Sequence, residues 1–363
     1  MRIMITGGGT GGHISPALAI IEELRRRDAQ LLLQWIGRRG GMEERASRRA
    51  EVPFRALAVE GWPRKTSPRR VWAALKYAVA AVRAYLYLKS FQPQVVIGVG
   101  GYVSLPVMYV AQRLGIPTML HEQNKRLGMA NRALAARAEC IFLSYPETIG
   151  SFPPERARVV GNPVRAGFIT PPPREEARAR FGLEAERPVV LIVGGSQGAA
   201  SLNRAVSGML PEVAADELQM IWMTGKSDYA NAAALTQRIK ARVEVLAYIE
   251  DMVSACAAAD LVVARAGASS TAELAVMGKP SILVPYPHAT DNHQEQNARA
   301  FEEAGGAVLL LDRDCTPERL LAIVRGLLAD PVALQNMAQA AHTLGQPLAA
   351  ETIAEEVMFY LFG

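Results

Sequence analysis

The sequence predicts an α/β protein built from two doubly wound parallel-sheet domains. Three observations carry that prediction. Short apolar runs alternate with segments of helical period along the whole chain, the pattern of repeated strand–helix–strand units. The alternation restarts after Gly161-Asn162-Pro163-Val164-Arg165 and the prolines 171, 172 and 173. At about 150 residues per domain, 363 residues suit two domains. Hydrophobic residues make up 50% and charged residues 21%, a globular balance that argues against disorder.

Strands are expected in the first domain at 2–6, 31–36, 95–98, 118–120 and 140–143. In the second they are expected at 188–193, 220–223, 243–246, 261–264, 281–284 and 308–311. Ligands of open parallel sheets sit beyond the C-terminal ends of the strands. Function is therefore expected in the loops that follow strands, facing a cleft between the domains.

The first such loop is Gly7-Gly8-Gly9-Thr10-Gly11-Gly12-His13. It opens a helix with Ile14, Ala17, Leu18, Ile21 and Leu24 on one face, and Ser15 and Pro16 read as its N-cap and first residue. Glycines let backbone N–H groups approach an anion, and a helix N-terminus adds about half a positive charge. Gly7, Gly9 and Gly12 also fit the dinucleotide pattern G-x-G-x-x-G. A NAD site calls for an acid at the end of the second strand, where this chain has Ile36-Gly37-Arg38-Arg39; NAD is disfavoured and NADP stays open. No Gly-Lys-Ser/Thr follows, so the loop is not a Walker loop. The second loop, Gly98-Val99-Gly100-Gly101-Tyr102-Val103-Ser104, and the third, Gly194-Gly195-Ser196-Gln197-Gly198-Ala199, also follow strands. Backbone amides and the Ser196 hydroxyl of the third suit a diphosphate. Three such loops in two domains suggest a nucleotide diphosphate in one domain and a second phosphorylated substrate at the other.

Other polar residues fall at similar places. In Arg265-Ala266-Gly267-Ala268-Ser269-Ser270-Thr271-Ala272-Glu273, small residues admit a ligand closely. Glu273, read in the first turn of the following helix, offers a carboxylate to two ribose hydroxyls, or is a surface acid favoured by the helix dipole. His288-Ala289-Thr290-Asp291-Asn292-His293-Gln294-Glu295-Gln296-Asn297 suits sugar hydroxyls, or a solvated helix start. His121-Glu122-Gln123-Asn124 places a base, an acid and amides at a strand end. His13 lies in a phosphate-type loop, where neutral imidazole can take a proton from a hydroxyl. Asp312-Arg313-Asp314 has the D-x-D spacing of some metal–nucleotide sites. The N-cap and N1 pair Thr316-Pro317 just after it makes it a helix lead-in. No G-x-S-x-G elbow or metal-spaced histidine pair occurs.

Charge is uneven. Residues 1–165 hold 25 Lys+Arg against 11 Asp+Glu (+14), residues 166–363 hold 15 against 24 (−9), and the two sum to +5. The first half therefore favours an anionic surface or substrate. No zinc-finger, RNP or homeodomain pattern is present, so nucleic acid is not an expected partner. Residues 71–91 carry Trp72, Leu75, Val79, Val82 and Leu86 at helical spacing, interrupted by Lys76, Arg83 and Lys89, after a basic turn at 61–70. On pattern alone this is a core-packing helix with solvated charges; the alternative is a basic amphipathic helix on a membrane surface. Residues 90–112 are uncharged over a bilayer-spanning length, but Pro93, Gly98, Gly100, Gly101 and Pro106 make them strand, turn and helix. Cys140, Cys256 and Cys315 are too few for a disulfide framework, so a reducing compartment is expected, and the N-terminus has no signal-peptide core.

The segments GGGTGGH, GGYVS, HEQN, GNPVR, GGSQGA, RAGASSTAE and DNHQEQNA follow one another from Gly7 nearly to the C-terminus. In this order they resemble the MurG family, the UDP-GlcNAc:undecaprenyl-diphospho-muramoyl-pentapeptide N-acetylglucosaminyltransferases of peptidoglycan synthesis. The resemblance implies the GT-B fold: two Rossmann-like domains, here 1–163 and 164–345, with a final helix, 346–363, crossing back to the first. It implies UDP-GlcNAc in the C-terminal domain, with Ser196 at the diphosphate, Ile249 and Arg165 at the uracil and Glu273 at the ribose. Gln294, with Asn124 of the other domain, is implied at the GlcNAc; Thr10, Gly11, Gly12, Gly195, Gln197, Ala268 and Ser269 are further donor-side residues. Gly9, Gly100, Gly101 and Tyr102 are implied to face the acceptor's diphosphate and muramoyl sugar. Trp72, Leu75, Lys76, Val79 and Arg83 become a membrane-association patch. Some members of the family carry two consecutive glutamines where this chain has His293-Gln294.

The implied reaction is an inverting, metal-independent and cofactor-independent transfer, with cleft closure aligning the substrates. The acceptor's C4 hydroxyl attacks the anomeric carbon, giving a β1→4 link, and UDP leaves. His13 is the first candidate base and Glu122 the second. The implied partners are UDP-GlcNAc, the undecaprenyl-diphosphate-linked MurNAc-pentapeptide, an anionic inner-membrane surface and other cell-wall synthesis proteins. The implied place is peripheral, on the cytoplasmic face of the bacterial inner membrane, in a pathway that sets cell shape and division. Three alternatives differ in their tests. An NADP-dependent reductase binds NADPH at residues 7–12. A UDP-GlcNAc epimerase of a similar two-domain fold consumes UDP-GlcNAc without an acceptor. A membrane scaffold leaves Glu273 and Gln294 without a purpose.

Overall fold

The computed structural model describes residues 1–61, 69–195 and 198–362. The chain divides into two units, one formed by Met1–Arg165 with the chain from Gln346 onward, the other by Ala166–Gly345. The first runs β1 (Arg2–Thr6), α1 (Gly11–Arg27), β2 (Leu32–Arg38), α2 (Met42–Arg49), β3 (Phe54–Leu57), α3 (Arg69–Phe91), β4 (Val95–Gly98), α4 (Ser104–Arg113), β5 (Thr118–Glu122), α5 (Met129–Leu134), β6 (Cys140–Leu143) and β7 (Ala157–Val159). The second begins with α6 (Ala166–Ile169) and α7 (Arg174–Arg180), then β8 (Val189–Val193), α8 (Ala200–Met209), β9 (Gln219–Met223), α9 (Tyr229–Thr236) and β10 (Arg242–Leu246). It continues with α10 (Met252–Ala258), β11 (Leu261–Ala264), α11 (Ala268–Val276), β12 (Ser281–Leu283), α12 (His293–Glu303), β13 (Ala307–Leu309), α13 (Pro317–Leu328) and α14 (Pro331–Thr343). The last helix, α15 (Ala349–Phe362), belongs to the first unit.

Each unit is one parallel sheet, in the orders β3-β2-β1-β4-β5-β6-β7 and β10-β9-β8-β11-β12-β13. Runs such as Ile3-Met4-Ile5 and Val95-Val96-Ile97 are fully buried, as strands covered by helices on both faces must be. In the first unit Ile3, Ile5, Ile20 and Trp35 pack on one side of the sheet with Ile353, Ala354 and Val357 of α15. Met4, Ile36, Val96 and Met108 pack on the other with Ala80, Ala84 and Leu88 of α3. The second unit's core joins Val190, Ile192, Leu202, Trp222 and Leu320. The strand order reverses between β1 and β4 and between β8 and β11, the switch points where open α/β sheets bind ligands.

All eleven expected strands are present. Two more, β3 and β7, form the outer edges of the first sheet. Their residues are largely half-buried or exposed, so they lack the apolar run that marks a central strand. The first helix begins at Gly11 with Thr10 as N-cap, so Ser15 and Pro16 are inside it rather than at its start. Glu273 is the sixth residue of α11 and lies beyond its first turn. The uncharged run 90–112 is the end of α3, then β4 and α4.

The helix α3 corrects the core-packing reading. Ala80, Ala84 and Leu88 pack into the sheet's core, and Ala73 is buried as well. Trp72, 67% exposed, and Leu75, Val79, Val82 and Leu86 point away from it. By length and composition α3 is also apolar enough to cross a membrane, yet its alanine face is packed. The basic turn before it, 62–68, lies outside the described residues.

Arg27 of α1 pairs with Glu351 at 3.2 Å and Glu355 at 3.0 Å, aligning α15 over its buried Ile353. Ile353→Ala is expected to remove about 2–4 kcal/mol from the first unit, read as a lower urea midpoint for that unit's transition.

Candidate active site

At the first switch point the loops after β1 and β4 touch. Gly101 has φ +84°, and a Cβ there would lie 2.3 Å from the Gly8 carbonyl oxygen. Only glycine permits that approach. Tyr102 closes over Gly9, and its hydroxyl receives an Arg38 N–H at 3.3 Å. Behind the loop lies Glu43, fully buried, whose carboxylate accepts from Gly9 N at 3.2 Å and from Arg38 N at 2.8 Å. The Gly9 amide is thus already occupied by an anion of the protein itself. This weighs against a dinucleotide pyrophosphate on residues 7–12. Thr10, Gly11 and Gly12 lie at the start of α1, with Thr10 and Gly11 exposed.

His13 is half-buried in the first turn of α1. Its Nδ1 lies 3.1 Å from the Val99 carbonyl and 3.1 Å from Gln123 Oε1. Burial pushes the imidazole below its ordinary pKa, against the opposing pull of Glu122, the Gln123 and Val99 hydrogen bonds and Glu43. His13 is therefore neutral at pH 7. His121, wholly buried, is pushed down to about 4, by burial first and by the neighbouring His13. Glu122 is 2% exposed, and four N–H donors fill its carboxylate: Asn124 N and Nδ2 at 3.1 Å, Gly128 N at 2.8 Å and Asn131 Nδ2 at 2.9 Å. Through these four bonds it holds the turn into α5. Asn124 sits beside it, with one of its two side-chain N–H groups donated to Glu122 at 3.1 Å.

In the second unit the loop after β8 turns at Gly195 (φ +89°) and Gly198 (φ +80°), where a Cβ at Gly198 would meet the Thr224 carbonyl at 2.7 Å. Ser196 and Gln197 lie outside the described residues. Ile249 is buried, its N–H on Met223 Sδ at 3.4 Å. Ala268 and Ser269 are buried at the start of α11, with Glu273 half-buried beyond them. Gln294 lies at the start of α12, its Oε1 accepting from Tyr286 N at 2.9 Å. His293 binds the Thr290 carbonyl through Nδ1 at 2.7 Å, so it fixes the turn into α12. Arg165 ends the first unit. The expected residues thus fall into two groups, at the strand ends of β1, β4 and β5 in one unit and of β8, β10, β11 and β12 in the other.

Sequence reasoning missed the group that ties the second unit's loops together. Arg265, 8% exposed, donates through Nη1 to the Val284 and Pro285 carbonyls at 3.0 and 3.1 Å and to Asp312 Oδ1 at 2.6 Å. Its Nη2 donates to Ser201 Oγ at 2.8 Å, and Ser201 donates to Asp312 at 2.7 Å. One guanidinium thereby joins the loops after β11 and β12 to the first turn of α8. Asn297 adds a bond to the Ala266 carbonyl at 3.0 Å. The Asp312-Arg313-Asp314 segment is a helix lead-in as read, with Thr316 capping Arg319 N at 3.3 Å, and its first acid is also the partner of this buried charge. Glu43 was missed likewise; only tertiary contact reveals either. A cavity of about 420 Å³ lies between β3 and α3, lined by Leu57, Val59, Trp72, Leu75 and Val79 together with Arg38, Arg39, Lys76 and Glu60.

Two doubly wound parallel sheets with glycine loops at both switch points are the frame of a ligand-binding α/β enzyme, and the family matches make that enzyme a glycosyltransferase. Residues 3–143 match the glycosyltransferase family 28 N-terminal domain and residues 189–353 the family 28 C-terminal domain. A protein of Desulfitobacterium hafniense named UDP-N-acetylglucosamine--N-acetylmuramyl-(pentapeptide) pyrophosphoryl-undecaprenol N-acetylglucosamine transferase is 44% identical over 98% of each chain. The crystal structure of MurG from Acinetobacter baumannii superposes with a TM-score of 0.75 at 30% identity, covering 98% of this chain and 99% of that one. The chain belongs to the MurG family. A UDP-GlcNAc 2-epimerase from Neisseria meningitidis has a TM-score of 0.68 at 14% identity, covering 99% of this chain and all of that one, and shares the fold alone.

Two outcomes are expected. Asp312→Ala leaves Arg265 buried without its carboxylate and is expected to cost about 3–5 kcal/mol, measured by denaturant unfolding of the second unit's transition. His121 titrates near 4 in the folded chain and near 6.5 in the unfolded one, so the unfolded chain binds the extra proton between those values. Stability is therefore full above pH 6.5 and falls by up to about 3 kcal/mol as pH drops to 4. A urea-midpoint series against pH checks this, and His121→Gln is expected to flatten it.

Proposed function

We propose that this protein transfers GlcNAc from UDP-GlcNAc to the C4 hydroxyl of the MurNAc-pentapeptide carried on undecaprenyl diphosphate. The full-length likeness to transferases named for this reaction carries the reading. The loops of the first unit take the acceptor and those of the second take the donor. The acceptor's oxygen bonds to the anomeric carbon and its proton passes to Nε2 of His13. The bond from that carbon to the diphosphate oxygen breaks, and UDP leaves with the electron pair. Backbone amides of the loop after β8 and the N-terminus of α8 favour the departing charge. A carboxylate from Glu273 suits the ribose hydroxyls, and Gln294 and Asn124 the sugar.

The protein works at the cytoplasmic face of the bacterial inner membrane. Support comes from the outward stripe of α3, with Lys76 and Arg83 beside it, and from the first unit's excess of basic residues. The cavity between β3 and α3 adds apolar walls, with Arg38 and Arg39 and the Lys76–Glu60 ion pair (2.6 Å) among its lining.

The deciding measurement is UDP release from UDP-GlcNAc with and without a short-chain lipid acceptor. Acceptor-dependent release with a disaccharide product is expected; release without acceptor would identify an epimerase instead. His13→Ala is expected to cut turnover about 10²–10⁴-fold with UDP affinity unchanged. Because His13 acts neutral, turnover should rise with pH through a midpoint below the ordinary histidine value and be full at pH 7. Trp72→Glu with Val79→Glu is expected to abolish co-sedimentation with anionic vesicles while leaving UDP binding intact.

A further inference from the structure

Gln123 is 2% exposed and belongs to none of the binding groups described above. Its side-chain amide bridges two imidazoles. Oε1 lies 3.1 Å from His13 Nδ1, and Nε2 lies 3.0 Å from His121 Nδ1 and 2.6 Å from the Val99 carbonyl. A backbone carbonyl can only accept. Val99 therefore fixes the amide with Nε2 towards it, since the flipped amide would press two oxygens together. Oε1 must then accept, and so must the Val99 oxygen beside His13 Nδ1 at 3.1 Å. Two acceptors at Nδ1 require its proton there. At the far end His121 Nδ1 accepts from Gln123, so His121 Nε2 carries the proton it gives to the Gly161 carbonyl at 3.3 Å. Two backbone carbonyls at the ends set the direction of every bond in the chain. Gly100 makes room for it: a Cβ there would stand 3.0 Å from the His13 ring and 3.5 Å from Gln123 Oε1.

We propose that Gln123 is the positioning residue of the base. Held between His13 and His121, it locks His13 in the tautomer with its proton on Nδ1, so that the Nε2 lone pair faces the acceptor hydroxyl. This rests on the reading of His13 as general base. When Nε2 takes the acceptor's proton, the imidazolium keeps Nδ1–H on the same two oxygens and no other proton has to move. The charged and titratable groups that face His13 are Glu122 and His121 from β5 and Glu43 from α2.

Three enzymes decide it: wild type, Gln123→Glu and His13→Ala, each checked for folding by the urea midpoint of the first unit's transition. Gln123→Glu sets a carboxyl group against Nδ1–H and favours the imidazolium. The acid limb of its kcat/KM profile is expected to move up by about one pH unit or more, with KM for UDP-GlcNAc changed less than twofold. A purely structural role would lower kcat and leave the limb in place, which overturns the proposal. ¹⁵N spectra of the wild-type histidines, assigned with His13→Ala, give the tautomer directly and stand even if Gln123→Glu fails to fold. Protonated Nδ1 at pH 8 is expected, and protonated Nε2 overturns the proposal. If His13→Ala keeps full turnover, the base reading itself fails. If it loses turnover while the Gln123→Glu limb stays put, only the role of Gln123 fails.

Discussion

The site of the first unit depends on one steric constraint, the absence of side chains where the loops after β1 and β4 cross. A Cβ at Gly101 would strike the Gly8 carbonyl at 2.3 Å, and one at Gly100 would press on the His13 ring at 3.0 Å. Contact at this distance lets the Val99 carbonyl reach His13 and Gln123. Strand order supplies the proximity, because β1 and β4 are neighbours at the sheet's reversal. Glycine lets that proximity become contact, and contact gives the histidine a fixed tautomer.

Buried charge distinguishes the two switch points. Under the first lies a carboxylate, Glu43, on the amide of Gly9. Under the second lies a guanidinium, Arg265, shared among Ser201, Asp312 and two carbonyls. The carboxylate already takes the Gly9 amide, and the guanidinium is balanced by Asp312 at 2.6 Å, so each buried charge serves first to hold its own loops. Neither follows the net charge of its half of the sequence, +14 for residues 1–165 and −9 for residues 166–363.

Much of this was legible in the sequence. The central strands showed as continuous apolar runs, because a parallel strand is covered on both faces. The edge strands β3 and β7 did not, since Arg55, Arg158 and Val159 are exposed and an edge needs little burial. The glycine loops were visible as spacing alone. Glu43 and Asp312 were not, because their partners, Gly9 and Arg265, lie 34 and 47 residues away. The stripe on α3 was seen, and pattern alone turned it inward where the family resemblance turned it outward. A helical period shows that two faces differ and not which one is inside. Here alanine, small enough to bring the helix near the sheet, took the inner face and left the larger side chains outside.

That arrangement also governs how the protein behaves once removed from its cell. With Trp72, Leu75, Val79, Val82 and Leu86 all outward, the folded chain carries an oily strip made of residues no core requires. Contiguous exposed apolar surface of this kind drives self-association in plain buffer. Polar replacements at these five positions leave both sheets untouched, since none of them is part of either buried core.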